Sequence, residues 1–167
     1  MRLFFALWPP PEAARALAQW AREAQRQTGG RVTDEAKIHL TLAFLGDAEP
    51  ALALAAGRRV KAKTLDLPME QARYWRVNNI VWAGPRELPA SLKALHAVLS
   101  TELRRERFVL EERRFAAHVT LIRKARAPKA LPPLPPVDWP VNEFALVGSS
   151  LSPKGPAYRS LERFSLG

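Results

Sequence analysis

The chain reads His39-Leu40-Thr41-Leu42 at residues 39–42 and His118-Val119-Thr120-Leu121 at residues 118–121. Both copies alternate polar and apolar side chains with a period of two, the pattern of a half-buried β-strand. Residues i and i+2 of a strand point to one face. His39 and Thr41 therefore share a face, as do His118 and Thr120, while the leucines and the valine turn toward a core. Two such strands, each offering an imidazole and a hydroxyl, would form one cleft if their polar faces oppose each other.

A comparable unit precedes each copy. Before the first, residues 2–8 read as a strand, and Pro10 and Pro11 open a helix where a missing N–H costs nothing. Ala13, Leu17, Trp20, Ala21 and Ala24 give that helix an apolar stripe, and Gly29-Gly30 ends it. Before the second copy, residues 89–105 repeat the helical spacing with Leu92, Leu95, Leu99 and Leu103. The motif strands are expected at about 37–45 and 116–124. Between them lie an alanine-rich helix over 49–63 and a hairpin, 72–77 and 80–83, turning at Asn78-Asn79. A proline-rich extended connection over 128–140 leads to two closing strands, 142–151 and 158–164. This order predicts an α+β fold: a single bilobal domain over 1–167 with pseudo-twofold character. Two antiparallel sheets would carry helices on their outer faces and leave a cleft between the lobes.

Composition narrows the chemistry. The sequence has 167 residues, of which 47% are apolar, enough for a real core. It has no cysteine, which excludes thiolate catalysis, disulfides and Cys-based zinc sites and fits a reducing cytoplasm. No run approaches the ~18 apolar residues of a membrane span. The formal net charge is +10, a balance that draws polyanions. Nine cationic side chains against three acidic ones fall within residues 104–129, a candidate RNA-facing patch.

Two imidazoles and two hydroxyls suit in-line displacement at phosphorus. One neutral ring takes a proton from the attacking oxygen, and one charged ring gives a proton to the departing oxygen. Hydroxyl donors and a cation would hold the non-bridging oxygens, where charge accumulates. Arg123, three residues beyond Thr120, supplies a guanidinium whose fork fits phosphate. The third histidine, His96, lies on the leucine-striped helix and is assigned no role. A zinc site would need a third ligand at close spacing, and none accompanies either motif. Trp20, Trp75 and Trp82 read as core. Phe4, Phe5, Tyr74, Trp75 and Tyr158 are candidates to stack on a base. A non-catalytic RNA-binding module, and a phosphoesterase acting on another cyclic or 2′-5′ ester, are alternatives that the motifs themselves leave open.

The paired tetrapeptides resemble those of the two-histidine (2H) phosphoesterase superfamily. More narrowly, the chain is similar to RNA 2′,3′-cyclic phosphodiesterases, also called 2′-5′ RNA ligases. The likeness covers nearly the whole chain: Arg2-Leu3-Phe4-Phe5-Ala6, Ile38 through Gly46, Val81-Trp82-Ala83-Gly84, His118 through Lys124, and Ser150 through Tyr158. Ala117 departs from it, standing where the family usually has proline. The resemblance implies hydrolysis of a 2′,3′-cyclic phosphate on an RNA end, tRNA fragments included, to a 2′-phosphate. His39 would be the acid, His118 the base, and Thr41, Thr120 and Arg123 the phosphate grip. No cofactor and no metal are expected, the chain is expected to be a cytoplasmic monomer, and the same residues would serve a reversible 2′-5′ ligation.

Overall fold

The computed structural model describes residues 1–167. In chain order the elements are β1 (Arg2–Leu7), α1 (Pro11–Thr28), β2 (Arg31–Val32), a 3-10 turn (Glu35–Lys37), β3 (Leu40–Asp47), α2 (Pro50–Arg59) and β4 (Leu65–Asp66). They continue with β5 (Gln71–Trp75), β6 (Ile80–Gly84), α3 (Ala90–Arg105), β7 (Val119–Arg123), β8 (Pro140–Val141), β9 (Glu143–Ser152) and β10 (Gly155–Ser165). The expected α+β class, with antiparallel sheet and flanking helices, is what these elements build.

Two antiparallel halves carry the site. One half runs β10-β9-β1-β3 and the other β7-β6-β5, with β2 lying beside β7. They join edge to edge, through the single residue pair Leu40–Val119 between β3 and β7. The two motif strands are thus neighbours in one plane rather than opposed faces. Strands β4 and β8 form a separate small pair.

The helices cross over. Helix α1 precedes β3 in sequence yet packs against β2 and β7, while α3 precedes β7 and packs on β3. Each long helix therefore supports the half that carries the other motif. The stripe expected on α1 is the buried one, joined by Ala14, Ala18 and Thr28, and Gly29 caps the helix at φ 59°. On α3 the four leucines are all buried.

Helix α2 stops at Arg59, short of the expected residue 63. Beyond it Val60 and Ala62 turn inward and Lys61 and Lys63 outward or to the side, a period of two that keeps the chain extended. Gly57 lets α2 approach closely: a Cβ there would sit 2.6 Å from the Phe164 ring. Arg59 ties α2 to α3 by pairing with Glu102 at 2.6 Å and Glu106 at 2.9 Å.

Strand β1 is covered on both sides. Leu3, Phe5 and Leu7 enter the main core beneath the helices. Phe4 and Ala6 face the other way and pack with Ala145, Val147, Trp8 and Tyr158. That second, aromatic face is the floor on which one half of the site is built.

Candidate active site

Both histidines sit one residue before their strands, not within them, because β3 begins at Leu40 and β7 at Val119. In each copy the ring Nδ1 is bonded to the backbone carbonyl two residues back. The distance is 2.7 Å from His39 to the Lys37 oxygen and 2.9 Å from His118 to the Ala116 oxygen. A carbonyl only accepts, so Nδ1–H is the donor and Nε2 carries the free lone pair when either ring is neutral. The Asp34 carboxylate accepts from the Ala36 N–H at 3.1 Å and fixes the 3-10 turn that presents the Lys37 carbonyl.

The Leu40–Val119 pair sets the geometry of all four motif side chains. Leucine and valine point to the core, so the residues on either side of each point to the opposite face. Extending the antiparallel register by one residue each way sets His39 opposite Thr120 and Thr41 opposite His118, with the two rings on a diagonal. All four line one cavity of about 570 Å³. The Thr41 hydroxyl lies 3.1 Å from His39 Nε2 and donates to it when the ring is neutral.

Arg123 lines the same cavity, which simple strand alternation forbids for a residue three beyond Thr120. The reason is a β-bulge. Strand β6 pairs Trp82 with Thr120 and Val81 with Ile122, so Leu121 is the extra residue. Leu121 and Ile122 are both fully buried, and Arg123 returns to the cleft face. The first copy does the same. Strand β1 pairs Ala6 with Thr41 and Phe5 with Ala43, leaving Leu42 as the extra residue. Phe44 thereby returns to the face of Thr41. Phe44 and Arg123 are matching positions of the two copies, one aromatic and one cationic.

The surroundings of the rings differ. His39 is boxed by Phe4, Trp8 and Tyr158, with ring centroids 5.1, 5.4 and 5.4 Å away. His118 lies against Trp75 at 4.8 Å and Trp82 at 6.4 Å. Burial pushes both imidazoles below their ordinary range, since a charged ring loses its water. The bonds to Lys37 and Ala116 oppose that shift, and the Arg123 charge adds to it for both rings; His118 adds further to the shift at His39. The site thus favours neutral rings beside a cluster of positive charge. Arg31, Lys37, Arg123 and Lys154 line the cavity against one carboxylate, Asp34. No group of three or more His, Asp or Glu side chains is placed to hold a metal ion.

Every residue singled out in the motifs is therefore at this cavity. Of the stacking candidates, Phe4 and Tyr158 line it, Trp75 flanks His118 from an adjoining cavity, and Phe5 is in the core. The Tyr74 hydroxyl is taken by Asn79 at 2.7 Å. Phe44 was not among those candidates, although it is 63% exposed and lines the cavity. Its local signal is the Leu42-Ala43 doublet, two inward residues in a row.

The two motif strands and their matching bulges mark a duplicated architecture. The family model for LigT like Phosphoesterase matches residues 7–82 and again residues 83–158, one match for each copy of the motif. The chain belongs to that family. It is 34% identical to the RNA 2′,3′-cyclic phosphodiesterase of Escherichia coli, over 99% of this chain and 96% of that one. It is 35% identical to the protein of the same name from Thermus thermophilus, over 99% and 90%. The crystal structure of E. coli LigT complexed with 3′-AMP superposes with a TM-score of 0.88 at 31% identity, covering 99% of this chain and 97% of that one.

Proposed function

We propose that this chain hydrolyses the 2′,3′-cyclic phosphate at an RNA end to a 2′-phosphate, using His39 and His118 as an acid and base pair. The observation that supports the reading is that His39, Thr41, His118 and Thr120 line one cavity about the Leu40–Val119 pair.

In this reaction His118 takes a proton from water as its oxygen bonds to phosphorus. The bond from phosphorus to O3′ breaks, and His39 gives O3′ its proton. The 2′ ester is kept, and the two rings end with their protonation exchanged, to be reset by solvent. Thr41, Thr120 and Arg123 hold the non-bridging oxygens, where fixed donors act most strongly on the charge of the transition state. Binding the phosphodiester anion favours charging one ring, which offsets the effect of burial. With a 5′-hydroxyl attacking in place of water and O3′ again leaving, the same groups in the same roles would join two RNA ends by a 2′-5′ bond. The names carried by the E. coli and Thermus relatives support the substrate.

The test is product analysis with an RNA oligonucleotide ending in a 2′,3′-cyclic phosphate, in the presence of a chelator. The reading expects a terminal 2′-phosphate as the sole product. A 3′-phosphate, or no turnover, would overturn it.

A further inference from the structure

A second cavity, of about 410 Å³, opens off the first and shares Thr41, Phe44, Asn78 and His118 with it. Its lining carries three arginines and one carboxylate, Glu111. Arg104 comes from the last turn of α3, and Arg113 and Arg114 come from the segment that leads into β7. Arg104 and Arg114 have no carboxylate partner, and Arg113 has only Glu111, exposed and 3.4 Å away. Three guanidinium groups around one concavity repel each other and favour an anion between them. The inner wall is aromatic: the His96 ring stacks on Phe115, with centroids 4.1 Å apart and planes 12° apart. A volume of this order fits a nucleotide rather than an inorganic ion alone.

We propose that this cavity binds a second nucleotide of RNA, adjacent to the one whose phosphate reacts, with its backbone phosphate held by Arg113 and Arg114 in front of Arg104. The inference rests on the cyclic phosphodiesterase reading above, because the shared wall at His118 makes any ligand here a neighbour of the reacting phosphate. A nucleoside phosphodiester has the anion and the flat ring that the two walls call for. It could be the preceding nucleotide of the same strand, or the 5′ end of a second strand with its hydroxyl beside His118.

The experiment compares the native chain with a variant carrying Arg113→Ala and Arg114→Ala together, both in an exposed connection outside helix and strand. The value of kcat/KM is measured for a mononucleoside 2′,3′-cyclic phosphate and for a short oligonucleotide with the same end. The native chain should prefer the oligonucleotide. The variant should lose roughly tenfold of that preference, the worth of one charge-assisted phosphate contact. Binding of the 2′-phosphate oligonucleotide product should also become less salt-dependent, its log–log slope falling by about 0.7 for the one phosphate no longer neutralised on a single strand. In a second arm, an unlinked dinucleotide with a 5′-hydroxyl is added to the mononucleotide reaction. Inhibition or joining in the native chain, weakened in the variant, assigns the cavity to a second strand. No effect alongside a chain-length preference assigns it to the same strand. Equal salt slopes and equal chain-length ratios in the two proteins, with the dinucleotide acting on both alike, would overturn the proposal. Failure of the native chain to turn over either substrate would instead sink the phosphodiesterase reading, and the salt slopes would still test the cavity.

Discussion

Thr120 and Arg123 are three residues apart on β7 and still face the same cavity, because the bulge at Leu121 turns the strand back on itself by one side-chain step. This places a guanidinium and a hydroxyl on the wall of one cavity without a loop between them. Arg123→Ala should lower kcat/KM for the cyclic phosphate by roughly 10²–10³-fold, the usual cost of removing a donor to developing charge. Arg123→Lys should restore only part of this, since an ammonium cannot make the paired contacts of the planar fork. Full activity in the lysine variant would show that a point charge suffices.

The pH dependence follows from burial of the two rings. In the free protein both histidines titrate below their ordinary value of 6.5. The proposed acid and base pair requires one ring neutral and the other charged, so activity should fall on the acid side as the base gains its proton and on the alkaline side as the acid loses its own. With both groups depressed, the bell of kcat/KM should have its maximum below pH 6.5. The bell of kcat should lie further to the alkaline side, because bound phosphodiester stabilises the charged ring. A kcat/KM maximum well above neutrality would contradict the burial argument.

Gly84, the last residue of β6, positions His118 through the backbone. A Cβ at residue 84 would lie 2.6 Å from the carbonyl oxygen of Ala117, the residue just before His118, and 3.3 Å from the Trp82 ring. Neither neighbour is the free end of a flexible chain, so Gly84→Ala must move the strand entry. It should cost roughly 1–3 kcal/mol in stability, as overpacking does, and lower kcat more than it raises KM. Thermal melting and steady-state kinetics on the same variant check both halves of this expectation.

Phe44 stands where the second copy has Arg123, and its exposed ring is shared by the two adjoining cavities. Phe44→Ala should raise KM for a nucleoside cyclic phosphate by roughly tenfold, within the range of aromatic stacking on a base, with little change in kcat. Phe44→Trp should restore binding. An equal fall in kcat and kcat/KM would place the ring at the chemistry instead.

Much of this was legible locally. The apolar stripes of α1 and α3, the Pro and Gly punctuation and the two tetrapeptides are short-range patterns, and each fell within a few residues of its element. The pairing of Leu40 with Val119 joins the two halves of the chain and has no local signature, so the motif strands read as opposed faces rather than neighbours. The same is true of α1 crossing to β7 and of Arg31 and Lys154 reaching the cavity. Trp82 is buried as read, whereas Trp75 is only half-buried, and the β6–β7 pairing that sets this hairpin beside His118 has no local signal. The bulges were half visible. Leu42-Ala43 and Leu121-Ile122 are consecutive inward residues in strands that otherwise alternate, and that doublet is what carries Phe44 and Arg123 to the cleft.

The most direct measurement is the turnover of an RNA 2′,3′-cyclic phosphate by His39→Ala and by His118→Ala, each checked for native folding. Two rings sharing one sheet face predict that either substitution alone lowers kcat by roughly 10²–10⁴-fold and that the bell-shaped pH profile loses a different limb in each. Undiminished turnover in either variant would contradict the account.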